Sequence, residues 1–203
     1  MKLYYAPTSP YVRKVIVLAM ERGLDDRLEL VPTNPFSEDS GLRAFNPISK
    51  IPTLELDDGQ ILIESTLICE YLDGLHNGAK LFPSDETRVD VLNRTALADG
   101  LVTAGIACRV EKEMRPAELF WQDYFDRHMK SMLGAISVLE KDADKYSAAD
   151  DFDIADISLA CGLGWVDFRF PDVGWRNDNP AIADWFETFS DRPSMQKTMP
   201  PEG

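Results

Sequence analysis

The spacing of apolar positions changes near residue 80, and that change divides the chain into two predicted halves. In the first half, short apolar runs alternate with helical stripes. Lys2 to Ala6 reads as a strand ended by Pro7. Pro10 occupies the first turn of a helix, where its missing N–H does no harm, and Val12, Val15, Ile16 and Ala19 form one apolar stripe. Arg13, Lys14, Glu21 and Arg22 fall mostly off that stripe, and Gly23 is placed to end the helix. Leu28 to Val31 predicts a second strand, parallel to the first because a helix connects them. A loop from Pro32 to Asp39 leads to a short helix ending near Phe45. Pro52 to Leu56 and Gln60 to Ile63 flank Asp57-Asp58-Gly59, a hairpin signal. Ser65 then opens a helix whose stripe is Leu67, Ile68, Tyr71, Leu72 and Leu75.

After a linker from Gly78 to Asp85 the strand signals vanish. Val89 to Met114 is helical in pattern, with Ala96, Gly100 and Gly105 as small residues that would let neighbouring helices approach. Pro116 interrupts it. Phe125, Met129, Met132, Ile136, Leu139 and Ala143 repeat at helical spacing, and further helices begin near Ile154 and Ala181. The predicted fold class is therefore an α/β domain of thioredoxin-like order β-α-β-α-β-β-α over residues 1–78, followed by an all-helical C-terminal domain over residues 86–203.

Composition narrows the class without naming a function. At 203 residues the chain can bury a sizeable core without staples, and its 44 % hydrophobic and 28 % charged residues are those of an ordinary globular protein. A net charge of −14 with no basic cluster argues against nucleic acid. No uninterrupted apolar stretch is long enough to span a bilayer, and Met1 to Tyr5 runs straight into a strand with no signal sequence, so no membrane partner and a cytoplasmic location are expected. Cys69, Cys108 and Cys161 lie far apart among aliphatic neighbours, which suits buried filler in a reducing compartment and no disulfide framework. His76 and His128 are isolated, and no metal-ligand spacing exists.

The chemistry-bearing segment is Ala6 to Val15. It sets the Ser9 hydroxyl at a helix N-terminus, where free N–H groups and the helix dipole favour an anion. Thioredoxin-like redox proteins carry Cys-x-x-Cys there; here the four residues are Ser9-Pro10-Tyr11-Val12, so disulfide exchange by the chain's own sulfur is unavailable. A hydroxyl at this place can instead stabilise a thiolate brought by a ligand, or simply cap the helix. Ile51-Pro52 follows a loop and opens a strand, a plausible site for a cis bond that leaves the Ile51 N–H and C=O free to pair with an extended peptide. Glu64-Ser65 joins an acid to a helix-opening hydroxyl, a match for an ammonium and a carboxylate on one ligand end. Lys50 adds a cation for a second carboxylate.

Together Ser9 to Val12, Ser49 to Thr53 and Ile63 to Thr66 resemble the glutathione-binding half of a cytosolic glutathione S-transferase, in its serine-using bacterial branch. The likeness extends over nearly the whole chain. Arg109-Val110-Glu111 with Arg115-Pro116, and Trp185-Phe186 with Arg192-Pro193-Ser194, resemble patterns of bacterial members. Asp153 to Asp156 matches the family's N-capping segment, with Asp153 where Ser or Thr normally stands. The resemblance implies that Ser9 hydrogen-bonds the glutathione sulfur as the catalytic residue, and that Lys50, Ile51, Glu64 and Ser65 bind the tripeptide. It also implies glutathione as co-substrate with no tightly bound cofactor, a homodimer, and an open pocket between the two domains for a small electrophile. Candidates for that second-substrate pocket are Ala107, Cys108, Glu111, Met114, Trp165 and Phe168, residues whose spacing equally suits core packing. Tyr5 is a rival hydroxyl, placed inside a strand.

The activity expected from this is conjugation of the glutathione thiolate to small, mostly apolar electrophiles. The alternatives are a transferase-like binding or regulatory protein without catalysis, or a glutathione-dependent peroxidase, dehalogenase or isomerase.

Overall fold

Leu3 and Leu54 lie opposite one another between strands β1 (Lys2–Tyr5) and β3 (Thr53–Glu55), and both are fully buried. The computed structural model of the chain describes residues 1–201. It divides into two compact units, one of Met1–Pro83 with the segment from Arg192 onward, the other Ser84–Asp191.

In the first unit the sheet runs β2-β1-β3-β4, with β2 at Glu29–Pro32 and β4 at Ile61–Ile63. β1 pairs parallel with β2 and antiparallel with β3, and β3 pairs antiparallel with β4. Helix α1 (Pro10–Glu21) supplies the crossover between β1 and β2. It ends where Gly23 takes a left-handed φ of 63° and Leu24 N–H closes back on Ala19 C=O at 2.7 Å. Helix α2 (Ser65–Gly74) packs against α1, and Val12, Val15, Leu18, Ile68 and Leu72 fill the space between helices and sheet.

The helix expected to end near Phe45 does not form. Two single 3-10 turns, Glu38–Ser40 and Leu42–Ala44, stand there instead, because Gly41 between them adopts φ 66° and breaks any continuous helical run. The C-terminal boundary also differs. Helix α7 (Pro193–Lys197), expected within the helical domain of residues 86–203, groups with the first unit. The cause is a set of side-chain bonds to α1: Arg13 Nη2 donates to Met195 C=O at 2.9 Å, and Arg192 forks onto Glu21 at 3.0 Å for each nitrogen.

The second unit is helical. Helix α3 (Arg88–Arg109) continues as a π-helical turn over Val110–Met114, α4 spans Gln122–Glu140, α5 Ile154–Arg169 and α6 Pro180–Ser190. α5 is the centre of this unit, buried on almost every side from Ile154 to Val166. Asp153 caps it and Asp156 bonds back to the Asp153 N–H at 2.8 Å, so the aspartate replacing the usual Ser or Thr completes the capping box. Of the small residues in α3, Gly105 is the one that permits close packing: a Cβ there would lie 2.5 Å from Trp165 Cζ3. Ala96 and Gly100 face outward, since they sit four apart on a different side of the helix. Cys69, Cys108 and Cys161 are all buried, and none is in a disulfide. No helix among the described residues is long and apolar enough to cross a membrane, and these residues hold no group of three or more His, Cys, Asp or Glu suited to a metal.

Candidate active site

Strand register carries three segments to one end of the first unit's sheet. Tyr4 lies opposite Thr53, so the end of β1 meets the start of β3; Thr53 lies opposite Ile63, so the end of β4 meets the same point. The chain leaves these ends through Ser9, Ile51-Pro52 and Glu64-Ser65. The three short motifs, up to 56 residues apart, thus converge because the strands that bear them are neighbours.

Ser9 is the N-cap of α1. Its backbone is extended at φ −86° and ψ 119°, its N–H turns back onto Ala6 C=O at 3.1 Å, and its Oγ accepts from Val12 N–H at 3.3 Å. A hydroxyl has one proton to give as well as lone pairs to accept with. The cap uses a lone pair only, and among the described residues the Ser9 O–H is donated to no group. Capping therefore holds the oxygen still while leaving its proton available to a ligand. The rival tyrosine is placed differently: Tyr5 stays in β1 opposite Pro32. Neighbouring Tyr4 donates its O–H to Glu55 Oε2 at 2.7 Å, and burial, reinforced by Glu55, pushes its phenol up to about 12.

The second segment is held by a residue that the sequence motifs did not single out. Asn46, buried, donates through Nδ2 to Lys50 C=O at 3.1 Å and Thr53 Oγ1 at 2.8 Å, and accepts Ile48 N–H at 3.1 Å. Thr53 Oγ1 donates to Lys50 C=O at 2.8 Å. This network, announced in sequence by the turn-forming Asn46-Pro47 pair, pins the loop on both sides of Ile51. The Ile51-Pro52 bond is cis, and the Ile51 N–H and C=O make no hydrogen bond among the described residues. Lys50 beside it is exposed.

The third segment is strained. Glu64 has φ 75° and ψ 121°, a region costing a non-glycine residue about 1–3 kcal/mol, and its Oε2 accepts Thr66 N–H at 3.2 Å. Ser65, the first residue of α2, is 1 % exposed and its Oγ has no partner. A buried hydroxyl left unsatisfied costs on the order of 1–3 kcal/mol, which a bound acceptor would recover. Lys14 is the second residue that pattern reading missed. It is fully enclosed, and its Nζ donates to Thr66 Oγ1 at 3.1 Å, placing an ammonium beside the positive end of α2. Two helix N-termini, a lysine and two hydroxyls make this end of the unit suited to anions.

The six second-substrate candidates separate by burial. Cys108 is wholly enclosed, its thiol donating to Phe125 C=O at 3.5 Å, and burial pushes its pKa up to about 11. Trp165 packs on Gly105. Glu111 is 1 % exposed and fully engaged, accepting from Trp121 N–H at 2.7 Å and Arg115 Nε at 2.8 Å. These three side chains build the interior and the α3–α4 connection of the helical unit; they present no open wall. Met114 is exposed, and Ala107 and Phe168 are half-buried, so these keep surface for a ligand.

Residues 3–80 match the family model for the glutathione S-transferase N-terminal domain, and residues 122–188 match that for its C-terminal domain. The chain is 32 % identical over 204 residues to the Uncharacterized GST-like protein YibF of Escherichia coli K12, covering 100 % of both sequences. It is similar to the crystal structure of a glutathione transferase family member from Pseudomonas fluorescens Pf-5 with bound glutathione, at TM-score 0.93 and 42 % identity over 99 % of each chain. A crystal structure from the same organism with bound S-(propanoic acid)-glutathione gives TM-score 0.90 and 42 % identity, covering 100 % of each chain.

Proposed function

The chain belongs to the glutathione S-transferase family, and from that premise we propose that it is a serine-type bacterial member that transfers the thiolate of glutathione to small, mostly apolar electrophiles. Ser9 is the catalytic residue in this reading. A thiol of cysteine type ionises near 8.5, and depressing that by ~2 units requires about 2.7 kcal/mol of preference for the thiolate. One hydrogen bond donated to an anion supplies roughly 1.5–3 kcal/mol, and a helix N-terminus about 0.3–1. The Ser9 O–H and the first turn of α1 are the right size together, so no general base is required. The thiol proton passes to water on binding, and the thiolate sulfur then forms the new bond to carbon as the leaving group departs or the acceptor's π bond takes up the electron pair.

The tripeptide is held by the other two segments. Ser65 Oγ and the α2 N–H groups take the γ-glutamyl carboxylate, with Lys14 reinforcing the local positive charge, and Glu64 takes the ammonium. Ile51 pairs its backbone with the extended peptide, and Lys50 meets the glycyl carboxylate. Glutathione bound in the Pseudomonas fluorescens relative supports glutathione as the ligand. The protein works as a homodimer in the cytoplasm, a setting that three buried cysteines outside any disulfide suit.

The observation that carries the proposal is the Ser9 hydroxyl, fixed by Val12 N–H with its proton undonated, at the point where the Ile51 and Ser65 segments converge. It is tested by titrating the protein with glutathione in a calorimeter and following the ultraviolet absorbance of the bound thiolate against pH. The thiol should ionise about 2 units below its free value. A protein that takes up no glutathione overturns the proposal.

A further inference from the structure

Helix α1 opens on two enclosed cations and no acid. Arg13 and Lys14 are 8 % and 1 % exposed, and the first turn carries no Asp or Glu. The helix dipole favours the opposite choice, because its N-terminus is already positive. Acids were not scarce in a chain with 35 of them against 21 basic side chains.

Arg13 is held unlike Arg22, Arg94 and Arg192, each of which meets a carboxylate: Asp73, Asp90 with Asp153, and Glu21. Among the described residues its guanidinium meets neutral groups only. Nη2 donates to Met195 C=O at 2.9 Å and Nε to Thr198 Oγ1 at 3.2 Å. Thr198 Oγ1 in turn donates to Ser194 C=O at 2.8 Å, so the hydroxyl is satisfied from its own segment. The acids of α1 and α2 bond elsewhere: Glu21 to Arg192, Asp73 to Arg22 and Glu64 to Thr66 N–H, while Glu70 makes no bond to Arg13. The basic residues on the facing C-terminal segment are Arg192 and the exposed Lys197. A cation taken out of water and answered by dipoles alone acts on its surroundings with its full charge.

That charge belongs to the turn of Ser9. The two residues are four apart, and Arg13 N–H donates to Ser9 C=O at 3.0 Å. A helical side chain leans over the turn N-terminal to its own Cα, here the turn that Ser9 caps. The segment from Arg192 grips α1 at Glu21 and again at Arg13, which keeps the guanidinium against the helix.

We infer that Arg13 is a positioning residue for the thiolate: gripped by the C-terminal segment, it holds a positive charge over the Ser9 turn and favours the ionised form of a sulfur bound there. The inference deepens the transferase reading and rests on it for the identity of that sulfur. It also makes α7 and Thr198 part of the apparatus that renders the thiol acidic.

The test titrates two sulfurs. The first is that of bound glutathione, followed by the ultraviolet absorbance of its thiolate in wild type, Arg13→Gln and Arg13→Lys. Glutamine keeps a donor for Met195 C=O and loses the charge; lysine keeps the charge. In Arg13→Gln the bound thiol should ionise about one pH unit higher than in the wild type. Its kcat should fall about 5- to 10-fold near pH 6 and recover by about pH 9, with the KM for glutathione nearly unchanged. Arg13→Lys should stay close to the wild type in both. The second sulfur is the one that Ser9→Cys introduces, titrated by its rate of alkylation with iodoacetamide against a background of buried cysteines. Adding Arg13→Gln should raise its ionisation by a similar amount. Arg13→Met serves as the neutral variant should Arg13→Gln not fold.

A bound glutathione thiol whose ionisation the neutral variant leaves unmoved, or an equal rise in Arg13→Lys, overturns the inference while the transferase reading stands. If the wild type takes up no glutathione, the transferase reading falls and the introduced sulfur decides the role of the charge. A rise on adding Arg13→Gln then upholds it, and no rise overturns it.

Discussion

Lys14 Nζ donates to Thr66 Oγ1 at 3.1 Å, tying the second turn of α1 to the first turn of α2. The bond places a fully enclosed ammonium next to the N–H groups of the helix that opens at Ser65. Charge and dipole then act in the same direction on an anion bound there.

Replacing that ammonium should weaken ligand capture and spare the chemistry. Lys14→Met is expected to raise the KM and Kd for glutathione about 5- to 10-fold, the equivalent of roughly 1–1.4 kcal/mol, with kcat at saturation nearly unchanged. The methionine fills a similar volume, so the fold should survive. A fall in kcat with KM unmoved would place Lys14 outside tripeptide binding.

Ser9→Ala removes the proton donor at the sulfur. Conjugation should slow by about 10- to 100-fold, or ~1.4–2.7 kcal/mol, and the bound thiol should ionise closer to its free value. The same change removes the cap of α1 and should cost about 1 kcal/mol in urea unfolding. Turnover at neutral pH that matches the wild type would remove Ser9 from the mechanism.

The Glu21 carboxylate takes both forks of Arg192 and the Ser194 hydroxyl, and this cluster fastens α7 to the helix that carries Ser9. Burial alone would raise the Glu21 pKa, but the bonds from Arg192 and Ser194 hold it below its ordinary value. The folded group is thus the stronger acid: its stabilisation is present above the unfolded pKa and is lost as pH falls through the folded one. Glu21→Ala should destabilise the protein by about 1–3 kcal/mol at neutral pH and expose the C-terminal segment to limited proteolysis. Cleavage rates equal to those of the wild type would show that α7 is held by other contacts.

Asp156 has the opposite sign. Burial, reinforced by the Asp153 carboxylate, pushes it up to about 7 from an ordinary 3.8, against the pull of the Asp153 and Ser147 N–H groups. Between these values the folded chain holds a proton that the unfolded chain has released. Its contribution is therefore complete below the unfolded pKa and declines as pH rises toward about 7. Asp156→Asn, which cannot titrate, should flatten that decline in urea midpoints measured from about pH 4 to pH 7. A slope identical to the wild type would assign the decline to other groups.

Much of the first unit was legible because its signals are short-range. Pro10 after Ser9, Gly23 after a helical stripe, and Gly59 in the hairpin each act through their own backbone, and the structure has α1 starting at Pro10, ending before Gly23, and the hairpin turning through Gly59 at φ 87°. The difference between β2 and β3 is of the same kind, since the left-handed Gly41 that splits the expected helix into two turns also acts through its own backbone. Three of the second-substrate candidates were ambiguous for a different reason. A helical stripe says which residues share a face, and cannot say whether another helix covers it; Trp165 meeting Gly105 and Glu111 gripping Trp121 N–H decide that for α3.

Caps, turns and the succession of elements along the chain are properties of neighbouring residues, and the chain alone determined them, together with the hydroxyl at Ser9 and the acid-hydroxyl pair at Glu64-Ser65. Tertiary structure decided which sides of α1 are covered. Its stripe accounts for one face, yet Arg13 is enclosed by a segment more than 180 residues away, and Lys14 bonds a helix 52 residues on. Such burial depends on which surfaces meet after the chain has folded back on itself, and no local pattern encodes it.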